Sequence, residues 1–96
     1  MAASKPKWTQ DQAIAFEAAR ECITDMMGIC SAAIAEEETR PTPNTTRLAQ
    51  LEAELMSLSR ERATLRVGDD DRVAVIRSEY GARIRTYREQ HRQQAA

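Results

Sequence analysis

Apolar side chains recur along this chain at alternating spacings of three and four residues, and two short segments rich in Pro, Gly and charge interrupt the recurrence. Phe16, Ala19, Ile23, Met26, Cys30 and Ala33 form the first stripe. Leu48, Leu51, Leu55, Leu58 and Leu65 form the second, and Val73, Ile76, Tyr80, Ile84, Tyr87 and His91 the third. Residues three and four apart share one face of an α-helix, whereas a half-buried strand needs alternation at every second position. The spacing therefore predicts an all-α chain of three amphipathic helices, at about residues 9–35, 46–67 and 70–91. Similar lengths and short connections predict an up-down-up antiparallel bundle, or a helical hairpin of the first two with a coiled-coil-like seam and the third docking on a partner.

The punctuation between the stripes supports these boundaries. Thr9-Gln10-Asp11-Gln12 matches a capping box, and Asp11 places a negative charge in the first turn. Pro41 and Pro43 cannot continue a helix, and Asn44, Thr45 and Thr46 are all competent to cap the next one. Glu36, Glu37 and Glu38 oppose the helix dipole and are read as part of the first connection. Gly68 fits the position just past a helix end, and Asp69, Asp70 and Asp71 are read as capping and charging the third helix. Residues 1–8 read as a mobile lead-in, 9–92 as a single domain and 93–96 as a frayed tail. Gly28 lies inside the first helix and weakens it by about 1 kcal/mol relative to Ala unless a bend or a close neighbour requires it.

The stripes differ in width. Cys22, Met27, Ile29 and Ile34 broaden the first, and a broad stripe serves two neighbours. The leucine stripe is narrow, and Arg62 occupies one of its places. A charge in a buried seam costs stability unless it is paired or reaches water along its aliphatic stem. Arg62 therefore either snorkels at the bundle's end or specifies register and pairs with a carboxylate on a partner.

Composition narrows the function classes. The chain has 96 residues and a net charge of −1, and no apolar run in it is long enough to span a bilayer. No basic, apolar, then small-residue pattern opens it, so a cytoplasmic protein with free thiols is expected. Cys22 and Cys30 are eight positions apart, about 12 Å along one helix and too far for a disulfide between them. His91 is the single histidine, at a helix end with no obvious group to orient it as a base. The three aspartates diverge around a helix and lack the further oxygen ligands that a cation cage needs. These readings predict neither an enzyme nor a cofactor or metal protein.

Two surfaces remain for binding. Met26, Met27, Cys22 and Cys30 form a soft sulphur-rich patch, and methionine adapts to irregular partners. Residues 1–46 carry four basic and seven acidic groups (−3), and residues 47–96 carry ten and eight (+2), every one of the ten an arginine. The arginines from Arg72 to Arg92 flank an apolar stripe, which suits an acidic protein surface and, less well at a pI of about 5.8, nucleic acid phosphates. Trp8, ahead of the first cap, is either a staple onto the helix or an exposed anchor. The expected contact residues are Trp8, Phe16, Met26, Met27, Arg62, Arg77, Tyr80, Arg83, Ile84, Tyr87 and Arg88. The function these features favour is a small non-catalytic module that masks or holds another protein, or pairs with itself. A dimeric nucleic-acid regulator and a coiled-coil spacer are the alternatives.

Overall fold

A computed structural model describes residues 7–95, with side chains for residues 7–92. Of the segment 1–8 read as a lead-in, residues 1–6 lie outside the described residues, and Lys7 and Trp8 are exposed. The chain is an all-α bundle of three helices: α1 (Gln10–Glu38), α2 (Thr45–Thr64) and α3 (Asp70–Ala95).

The start of α1 is fixed by the reciprocal bonds of a capping box. The Thr9 hydroxyl accepts from the Gln12 N–H at 3.1 Å, and the Gln12 side chain accepts from the Thr9 N–H at 2.7 Å. The helix runs three residues past its expected end, through Glu36, Glu37 and Glu38, before Thr39 closes it. Among the three candidate caps for α2, Asn44 takes the role, its side-chain oxygen accepting from the Arg47 N–H at 3.0 Å.

The second break is built differently from the expectation. α2 stops at Thr64 because Leu65 turns to extended backbone, φ −64° and ψ 135°, and drops its side chain into the core. No glycine has a positive φ, so Gly68 is not a left-handed cap. The turn is closed by Asp69, whose carboxylate accepts from the Arg66 N–H at 3.0 Å while its own N–H donates to the Arg66 carbonyl at 3.0 Å. Asp70 and Asp71 do charge the first turn of α3. The Asp70 carboxylate accepts from the Gln12 amide, at 3.1 Å to each oxygen, and so ties the starts of α3 and α1 together. At the other end α3 continues to Ala95.

The connectivity is up-down-up, with α1 and α3 parallel and α2 antiparallel to both. α1 packs against α2 and against α3, while no Cα of α2 comes within 8 Å of one in α3 among the described residues. The broad stripe of α1 explains this central place, since only α1 has apolar residues enough for two neighbours. Ala19, Ile23, Met26 and Cys30 of α1 meet Leu58, Leu65, Val73, Ile76 and Ile84 in one cluster. Each large side chain buried there stabilises the fold by roughly 1.5–3 kcal/mol.

Candidate protein-binding surfaces

The eleven residues expected to contact a partner do not converge on one site. Met26, 2% exposed, and Ile84, 5% exposed, belong to the internal core, so they are removed from the candidate surface. The periodicity that identified them is the periodicity of the core itself. Trp8 is 46% exposed and stands with Phe16, Leu65 and Val67 around a cleft of about 630 Å³ at the base of the bundle. Met27 is half-buried against the core, Arg62 lies on the α1–α2 flank, and Arg77 and Arg88 on the α1–α3 flank.

Tyr80 and Arg83 bridge α3 to α2. The Tyr80 hydroxyl donates to Glu61 at 2.6 Å, and Arg72 lies 3.3 Å from the other oxygen of that carboxylate. About two turns away along α2, Arg83 pairs with Glu54 at 2.9 Å. Long polar side chains thus span the gap that the two backbones leave. Burial first, and then the Glu61 carboxylate, push the Tyr80 phenol up to about 12.

The arginine-rich third helix is largely occupied within the molecule. Arg72 pairs with Glu61, Arg83 with Glu54, Arg88 with Asp25 and Arg92 with Glu89. Of the six arginines from Arg72 to Arg92, only Arg77 and Arg85 have no ion pair among the described residues. Four guanidinium groups already beside carboxylates leave a weak footprint for phosphates.

A groove of about 400 Å³ opens between α1 and the second half of α3. Met26 and Ile29 form its floor, and Ala82, Thr86, Tyr87 and Gln90 its wall. Tyr87 is half-buried, and its ring stacks on that of His91 with centroids 3.8 Å apart. The His91 Nδ1 lies 2.9 Å from the Tyr87 carbonyl, so this exposed ring is engaged along its own helix.

Glu37 is the residue the sequence reading placed wrongly. It is the one buried charged residue described, and its carboxylate accepts from the Asn44 N–H at 3.0 Å and from Arg40 at 3.2 Å, with Arg47 at 3.7 Å. The Asn44 N–H foremost, opposed by burial and helped by the two arginines, holds this carboxyl below its ordinary value of 4.5. A signal was present: Ile23, Cys30 and Glu37 stand seven apart, on one column of the stripe. Glu54 and Glu61, which the leucine periodicity does not single out, anchor the bridges to α3.

Both thiols are held toward their protonated form. Burial pushes up both Cys22 and Cys30, with Asp25 adding to the first and Glu54 to the second. No helix of the described residues is long and apolar enough to cross a membrane.

What the fold defines is an all-α three-helix bundle with α1 at its centre and grooved flanks. The chain matches no known protein family, no curated protein and no solved structure.

Proposed function

We propose that the chain is a small non-catalytic protein-binding module that masks or holds a partner. The observation that carries this reading is the groove between α1 and α3, with Ile29 as the accessible apolar part of its floor and a mixed wall at Ala82, Arg83, Thr86, Tyr87 and Gln90. Such a surface suits the apolar face of an amphipathic helix, which buries area on the floor and leaves polar groups at the rim. The half-buried Tyr87 ring supplies the aromatic contact that dominates many interfaces.

The test is capture from lysate of the source cell with two baits, read by native mass spectrometry. The wild-type chain is expected to elute with one partner at a fixed stoichiometry. Thr86→Arg, which fills the groove from an exposed position, is expected to lose it. Equal capture by both baits, a bait that elutes without any other protein, or nucleic acid that salt removes, would each overturn the reading.

A further inference from the structure

The flank of α2 that borders α1 carries a second heptad column. Leu48, Glu52, Leu55, Ser59 and Arg62 follow one another at spacings of four, three, four and three. This column is rotated from the inner one of Leu51, Leu58 and Leu65, which is buried against the rest of the bundle. Leu48 and Leu55 are half-buried, Leu55 with one side against the bundle's own core, and Met56 beside them is 58% exposed. Ser59 and Ala63 are small and exposed, so a neighbouring backbone has room to approach.

Charge on this flank is unmatched in a patterned way. Arg62 is half-buried on a leucine seam, yet among the described residues its guanidinium finds only the Thr24 hydroxyl, at 3.2 Å. Glu52 is exposed, and neither it nor Arg62 has an ion-pair partner among the described residues. The two stand at equal distances, five residues either side of Ser57.

We propose that this flank of α2 docks a second copy of the chain, with the two α2 helices antiparallel about a two-fold axis at the level of Ser57. In that register Glu52 of each copy faces Arg62 of the other, twice over. Met56 of both copies meets near the axis, and Leu55 of each packs over Ser59 of the other. A two-fold interface must be complementary to itself, and a surface with an acid and a base equidistant from one centre meets that condition. The apolar residues supply the area, and the charge pairs fix orientation and register, as polar residues do in coiled coils. A dimer of this kind goes beyond the proposed protein-binding function and does not depend on it, because the α1–α3 groove uses none of these residues.

The experiment is sedimentation equilibrium on the purified full chain. At about 100 µM, a concentration that populates even a weak interface, the wild-type mass is expected to be twice 10.8 kDa. Glu52→Arg is expected to raise the dissociation constant at least tenfold, and Glu52→Arg combined with Arg62→Glu to restore it. Met56→Glu, at an exposed position, is expected to weaken association as much as Glu52→Arg and serves if the double variant does not fold. Circular dichroism checks that each variant remains helical, and Thr86→Arg is expected to leave the dimer intact. A wild-type mass of 10.8 kDa at that concentration overturns the proposal. So does a dimer indifferent to both Glu52→Arg and Met56→Glu.

Discussion

At the base of the bundle α1 spends Ala19, Ile23 and Met26 on a core shared with both neighbours, whereas toward its far end the last side chain it buries is the carboxylate of Glu37. The other helices show the same gradient. α2 buries Leu58, and Leu65 just past its end, near the base, but Leu51, the other buried side chain of α2, lies outside the central cluster. α3 buries Val73, Ile76 and Ile84, and nothing described beyond Ile84 is buried. Three helices converge at one end, while two helices and a turn are clasped by one ionised group at the other. An apolar cluster is indifferent to pH and direction, so it fixes stability. A carboxylate held by an N–H and two arginines is directional, so it fixes where the chain turns.

The strongest blow to the base is Ile23→Ala. Ile23 is fully buried, and removing its side chain is expected to cost about 2–5 kcal/mol, the transfer term plus the cavity left behind. Chemical denaturation should show the midpoint fall with one cooperative transition retained. A loss under 1 kcal/mol would mean that the far end contributes as much as the base, and the contrast would fail.

At the far end the matching change is Glu37→Gln. It keeps the shape and removes the charge, so the Asn44 amide and the two arginines lose their shared acceptor. The loss is expected to be local, appearing as faster hydrogen exchange at Asn44 while amides around Ile23 stay protected. The pH dependence follows from the direction of the shift. A carboxyl whose pKa is lowered in the fold stabilises it above the unfolded value of 4.5, and that contribution disappears as pH falls through the folded value. Wild-type protection at Asn44 should therefore drop on acidification below that value, and Glu37→Gln should show no such step.

The gradient also explains what the sequence disclosed. Apolar periodicity reports the core, so the three helices, their order and most buried residues were legible in the spacing. The capping box at Thr9 was legible because both of its bonds are local in sequence. Gly68 and the aspartates misled because several chemistries close a turn, and a left-handed glycine is only one of them. Glu37, Glu54 and Glu61 were missed because partner choice among charged residues depends on how the helices sit, which periodicity does not encode. The contact residues were scattered for a related reason: an apolar stripe marks whichever face is covered, by the chain's own helices or by another's.

Between the two ends, the α2–α3 bridge has its own signature at alkaline pH. Tyr80 rises from an ordinary 10.0 to about 12, so the fold favours the neutral phenol. A raised pKa gives stability that is complete below the unfolded value and lost as pH rises through the folded one. Wild-type stability should decline between about pH 10 and 12, and Tyr80→Phe should flatten that decline, at a cost near neutrality of about 1 kcal/mol for the bond to Glu61. An unchanged alkaline profile would mean that the Tyr80 bridge does not couple α3 to α2.

The smallest expected effect is a gain, and it falls where the two regimes meet. Gly28 lies midway along α1, between the apolar core and the clasp, and is exposed. A Cβ built there meets nothing within 4 Å, and the residue has no positive φ. Neither packing nor backbone conformation explains a glycine at this point, so its cost to the helix is uncompensated within one copy of the chain. Gly28→Ala should stabilise by about 0.5–1 kcal/mol, through lower backbone entropy in the unfolded chain and better helix propensity. Thermal unfolding measures the gain, and hydrogen exchange locates it. If α1 is one rigid rod, protection should rise from Ile23 to Glu37 alike. If the far end opens separately, it should rise only on the Glu37 side, and Gly28 would then be the joint at which the clasped end parts from the packed one.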